Sequence, residues 1–68
     1  MGIIYDKSIR KFKNNENTIF EILKKPNNHY YLTEKKEKNS AARIIKTTKL
    51  SIFYFLMEEY RRNGLKDI

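Results

Sequence analysis

Residues 15–25 read Asn15-Glu16-Asn17-Thr18-Ile19-Phe20-Glu21-Ile22-Leu23-Lys24-Lys25 and run into Pro26. The apolar members Ile19, Phe20, Ile22 and Leu23 fall at i, i+1, i+3 and i+4, the spacing of one helical face, whereas a half-buried strand alternates apolar with polar. The stretch therefore predicts a helix. Asn14 or Asn15 caps its start by accepting a backbone N–H, Glu16 suits the positive end of its dipole, and Pro26 forbids continuation.

Working outward, the same logic sets the rest of the chain. From Ser40 as N-cap, Ala41-Ala42-Arg43-Ile44-Ile45-Lys46-Thr47 forms a helix near 41–47 with Ala41, Ile44 and Ile45 inward. Lys49-Leu50-Ser51 makes a break, and Ser51 caps a longer helix running to Asn63, ended by a left-handed Gly64 with Arg61 and Arg62 at its negative pole. His29-Tyr30-Tyr31-Leu32-Thr33 is aromatic and β-branched and suits a short strand over 29–33. Upstream, Tyr5, Ile9 and Phe12 at i, i+4 and i+7 suggest a short helix over 6–13, in competition with a strand over 2–5. Glu34 to Asn39 has no apolar residue and reads as a solvated loop or exposed turn. The expected fold is mainly α: a small helix-turn-helix domain, winged-helix-like, spanning residues 1–68 with one short strand. A second layout makes 2–13, 17–25, 29–37 and 42–48 four antiparallel strands with one C-terminal helix, an α+β fold. The adjacent pairs Ile19-Phe20 and Ile44-Ile45 count against it, because neighbours on a strand point to opposite faces.

The chain has 68 residues, with 15 Lys+Arg against 8 Asp+Glu for a net charge of +7. That length holds one domain with a small core, which self-association or a partner would help to stabilise. Without cysteine, neither disulfides nor thiolate metal sites can supply the difference. The longest apolar run, Ile52 to Met57, is far shorter than the ~20 residues a membrane span needs, so no membrane association and a cytoplasmic location are expected. Ile, Lys and Asn together make 27 residues, as in the product of an AT-rich genome, which accounts for part of the lysine. The distribution carries more: residues 1–30 net +3, residues 31–49 net +4 and residues 50–68 net zero. A positive field centred on Lys35 to Lys49 suits a phosphate backbone.

In the last helix Leu50, Phe53, Tyr54, Met57 and Tyr60 form one apolar stripe, and Ile52, Phe55 and Leu56 a second. Two apolar sides usually mean a central helix in the core. A small monomer covers only one such side easily, however, which points instead to a homodimer or partner interface, and the sequence predicts a homodimer through Ile52, Phe55 and Leu56.

The stretch from Asn14 to Thr33 resembles the opening of winged helix-turn-helix regulators of bacteria, archaea and their viruses. There a first helix ending in Ile-Leu-Lys-Lys leads through a turn to a short strand. Ala41 to Ser51, followed by Tyr60-Arg61-Arg62-Asn63-Gly64-Leu65, is similar to that family's helix, turn, recognition helix and closing Gly-Leu, although no complete wing follows. The resemblance implies a small transcriptional regulator of viral or mobile-element type, binding duplex DNA. The first turn of a helix would then read base edges while the preceding helix crosses the phosphates. Thr47, Thr48, Lys49 and Ser51 lie at that approach, with Arg43 and Lys46 toward phosphate.

The four-stranded layout instead resembles the single-strand-binding fold of transcriptional coactivators, and more faintly the arm-type domains of tyrosine recombinases. It implies stacking of bases on Tyr30 and Tyr31 with nearby lysines tracking the backbone. A small protein-interaction, inhibitor or assembly subunit is the third reading. Catalysis is not expected. His29 has no Cys, Ser or Asp placed to form a relay, adjacent Glu58 and Glu59 point to different azimuths, and glycine occurs only at 2 and 64, so no phosphate loop exists. No metal, cofactor or small-molecule substrate is expected.

Overall fold

The computed structural model describes residues 6–36 and 41–68. It is built from strands β1 (Lys7–Lys13), β2 (Ile19–Lys24), β3 (Tyr30–Lys35) and β4 (Arg43–Lys46), helix α1 (Lys49–Asn63) and a final strand β5 (Lys66–Asp67). All pairings are antiparallel, in the order β4-β3-β2-β1-β5. The mainly α, helix-turn-helix expectation is overturned, and the α+β layout of four strands and a C-terminal helix describes the chain. The expected helices over 15–25 and 41–47 are strands β2 and β4, and the expected helix over 6–13 is β1. The strand at 29–33 and the last helix are found with shifted ends. The strand weighed for 2–5 and the proposed cap Ser40 lie outside the described residues, as does the 37–39 part of the polar insert.

Three local causes explain the difference. In β2, Phe20 faces α1 and is 1% exposed, while Ile19 and Leu23 on the other face stay half-buried, so apolar residues occupy both faces and alternation vanishes. In β4, Leu32 pairs with Lys46 and the next residue, Thr33, pairs with Ile44, leaving Ile45 as an extra residue in a bulge. Ile45 packs against the core and Ile44 is exposed. β1 carries the same device: Ser8 pairs with Leu23 and Arg10 with Ile22, so Ile9 is extra, and Ile9 and Phe12 come to line one groove despite their odd separation.

Asparagine signals that read as helix caps belong to turns. Asn14 Oδ1 accepts from Glu16 N at 2.8 Å and Thr18 N at 2.9 Å, and Asn17 N donates to Asn14 O at 3.1 Å. Short polar side chains favour such local bonds over helix, and asparagine tolerates the left-handed backbone that Asn17 adopts at φ 65°. The β2–β3 connection repeats the design, with Asn28 N donating to Lys25 O at 3.0 Å, Asn28 at φ 66° and Pro26 at the second turn position.

Helix α1 begins with Thr48, not Ser51, as its cap. Thr48 Oγ1 accepts from Ser51 N at 3.2 Å and Ser51 Oγ lies 3.3 Å from the Thr48 N–H, a reciprocal capping box. Gly64, at φ 70°, ends the helix by donating its N–H to Tyr60 O. At 15 residues the helix is about 22 Å long, close to the roughly 19 Å width of five strands, so it starts beside β4 and ends beside β1. The core lies between, formed by Phe20, Leu32 and Ile52, with Ile22, Tyr30, Ile45, Phe55, Leu56 and Leu65 packed around it. The Phe20 and Phe55 rings meet edge to face at 5.4 Å. A polar clasp locks helix to hairpin: Asn14 Nδ2 donates to Glu59 Oε2 at 3.0 Å, Asn63 Nδ2 donates to the same oxygen at 2.5 Å, and Asn15 N donates to Asn63 O at 3.0 Å.

The predicted dimer residues are therefore corrected. Ile52 is 5% exposed, and Phe55 and Leu56 are half-buried against the core, because this side of α1 closes the only sheet face the helix can cover. The stripe left outside is Leu50, Phe53, Tyr54, Met57 and Tyr60, each 45–66% exposed. No described helix is long and apolar enough to cross a membrane.

Candidate nucleic-acid interface

Residues directly opposite in an antiparallel sheet share a face, so the pairings define the side turned away from α1 row by row. One row runs Lys66, Lys13, Ile19, Lys35 across β5, β1, β2 and β3. The next is Lys11, Glu21, Thr33, Ile44, and the third Ser8, Leu23, Tyr31. With strands about 4.8 Å apart, Lys13 stands one strand from Lys66 and about 10 Å from Lys35 along its row. Like charges set directly opposite destabilise a strand pair, so Lys13 beside Lys66 is a local cost that an anion lying over the row would relieve.

The charges are left open. All four arginines are in ion pairs: Arg10 with Asp67, Arg43 with Glu34 at 3.2 Å, and Arg61 and Arg62 with Glu58 at 3.8 and 2.9 Å. Among the described residues no lysine joins an ion pair. On the face away from the helix the described carboxylates are already engaged, Glu21 accepting from Ser8 Oγ at 2.6 Å and Asp6 from the hydroxyl of Tyr31. The bond to Asp6, with burial and the charges of Asp6 and Glu21, pushes the Tyr31 phenol from 10.0 up to about 12. Tyr31 is thus a neutral, anchored ring at one end of a basic face, with Lys25 Nζ 5.6 Å from its centroid.

At the same end of the sheet, Tyr30 points to the helix side. Its ring centroid lies 4.6 Å from Lys49 Nζ and 5.9 Å from Lys24 Nζ. A small depression of about 150 Å³ between the tyrosines is bordered by Lys25, His29, Ile44 and Thr47. Cations, hydroxyls and rings therefore converge where β3 begins and β4 gives way to α1.

Of the six residues expected at a recognition helix, Thr48, Lys49 and Ser51 do sit at the start of α1, while the helix expected to carry the others is replaced by β4 and its exit. Arg43 and Lys46 are on edge strand β4, Arg43 held by Glu34 and Lys46 with its Nζ 5.9 Å over the Phe55 ring. Thr48 and Ser51 spend their hydroxyls on the capping box, Thr48 Oγ1 donating to Ser51 Oγ at 2.7 Å and Ser51 Oγ to Thr48 O at 3.0 Å. Thr47 and Lys49 border the tyrosine cluster. The structure thus brings Lys46, Thr47 and Lys49 to one end of the sheet, and among the described residues no helix precedes α1 to cross phosphates. The residues the sequence did not single out are Lys11, Lys13 and Lys66, far in the chain from Lys35, which it had only as one edge of the positive field. Once strands are assigned, the Lys11-Phe12-Lys13 alternation is the visible signal. No family model, curated protein or solved structure matches the chain.

Proposed function

We propose that the protein binds single-stranded nucleic acid across the sheet face turned away from α1. The observation that carries this reading is the row Lys66, Lys13, Ile19, Lys35, three lysines outside any ion pair among the described residues, with Tyr31 two rows further along the same face. Lysines following a backbone supply affinity by releasing counterions, and the half-buried Tyr31 ring offers its open side as a stacking platform that accepts any base. A single strand suits a broad sheet because its bases are free to turn toward Leu23, Tyr31 and Thr33, whereas in a duplex they are stacked and paired. Duplex reading by α1 is not favoured: the helix's exposed side is apolar and Thr48 and Ser51 are committed to capping.

Titration against a single-stranded oligonucleotide, its duplex and a structured RNA at two salt concentrations tests the reading. Tighter, salt-sensitive binding to the single strand is expected. Tyr31→Ala should cost about 1–3 kcal/mol of that affinity and Tyr31→Phe much less. Preferential binding of the duplex would overturn the proposal.

A further inference from the structure

The face of α1 that the fold leaves uncovered has a symmetry of its own. Leu50, Phe53, Met57 and Tyr60 are spaced three, four and three residues apart, a pattern that reads the same in both directions. We propose that this stripe is where a second copy of the chain docks, the two helices antiparallel across a two-fold axis at the level of Phe55. That operation sets Leu50 against Tyr60 of the partner subunit and Phe53 against Met57 of the partner subunit, so one patch meets itself, as an isologous interface requires.

Area, charge and shape on this side agree with such a partner. Leu50, Phe53, Tyr54, Met57 and Tyr60 are 45–66% exposed, and together present roughly 600–700 Å² of side chain per copy. Complete coverage of the stripe in two copies would bury about 1,300 Å², at the lower end of the range of stable specific interfaces. The chain's +7 lies in residues 1–49, while residues 50–68 net zero, with Glu58 holding both Arg61 and Arg62. Two copies therefore meet through a nearly neutral surface: α1 itself carries only one net positive charge, Lys49, Arg61 and Arg62 against Glu58 and Glu59, which is little to select an acidic partner. Beside the stripe runs a groove of about 590 Å³ floored by Ile9, Phe12 and Leu65, with room for rings from the facing helix. The internal core adds a motive, since Phe20, Leu32 and Ile52 are its only buried apolar side chains among the described residues. The lysine row lies on the opposite side of the sheet, so a dimer exposes two such faces and binds a long strand bivalently.

Sedimentation equilibrium of the protein without nucleic acid tests this. A dimer is expected at micromolar concentration. Phe53→Glu and Met57→Glu, both at exposed positions, should each raise the dissociation constant at least about a hundred-fold with an unchanged far-UV circular dichroism spectrum. Register is tested separately, because the chain has no cysteine of its own. Mixing Phe53→Cys with Met57→Cys under mild oxidation should give a cross-linked heterodimer, and Lys13→Cys on the opposite face should give none. A monomeric wild type at about 100 μM, a dimer that survives both glutamate variants, or no mixed cross-link would each overturn the proposal. None of these results would touch the lysine-face reading, which salt-dependent binding judges by itself.

Discussion

Replacing Asn14 by Ala tests what holds the helix to the sheet. Asn14 is 7% exposed and makes three side-chain hydrogen bonds, accepting from Glu16 N and Thr18 N and donating to Glu59 Oε2 at 3.0 Å. Each bond to a neutral partner contributes about 1 kcal/mol net, and the one to a carboxylate about 1.5–3. Access of water to the opened turn and the remaining Asn63 bond to Glu59 reduce the sum, giving an expected loss of roughly 2–3 kcal/mol. Against a total stability of roughly 3–10 kcal/mol for a chain of this size, that is a large fraction. Urea unfolding followed by far-UV circular dichroism should show the midpoint lowered by about 2 M, for a slope of about 1 kcal/mol per molar. Asn14→Asp keeps the acceptor for the two N–H groups but sets a carboxylate against Glu59, so its deficit should shrink in acid, where one of the two is neutralised. A loss below about 0.5 kcal/mol for Asn14→Ala would refute the clasp.

Tyr31 should ionise late: with its phenol raised from 10.0 to about 12 by the bond to Asp6, one tyrosine remains neutral through the alkaline range in an ultraviolet titration. Since the folded value exceeds the unfolded one, its stabilising contribution is complete below pH 10 and is lost as pH rises through about 12, and Tyr31→Phe should abolish that dependence. Gly64→Ala should lower stability by about 1 kcal/mol in thermal melts, because φ is 70° there and an added Cβ would lie 3.1 Å from Asn15 Nδ2.

The sequence made the last helix, its Gly64 terminator and the strand at Tyr30 legible, since each is marked by a local signal that tertiary context left alone. β2 and β4 were obscured by the same kind of evidence read too simply. Ile19 beside Phe20 marks a strand with a half-buried outer face, and Ile44 beside Ile45 marks a bulge, but both mimic one turn of helix in a short window. Asn14 and Thr48 illustrate the ambiguity of capping residues. The same side-chain-to-backbone bond closes a turn at Asn14 and opens a helix at Thr48, and only long-range pairing separates them. The basic character of residues 31–49 was visible, yet the row that we assign to phosphate contact joins Lys13, Lys35 and Lys66. Register, which chain order does not display, brings those three together. Likewise, two apolar stripes on α1 were evident, but which one the sheet would cover depended on the helix's rotation against Phe20.

The central claim is that the lysine row contacts the backbone of a single strand, and the salt dependence of binding measures it most directly. For single strands the slope of log K against log salt is about −0.7 per phosphate neutralised. The triple replacement of Lys13, Lys35 and Lys66 by Ala should therefore flatten the wild-type slope by about 2 and weaken binding to every sequence alike. An unchanged slope in the triple variant, with wild-type affinity for the oligonucleotide, would contradict the account.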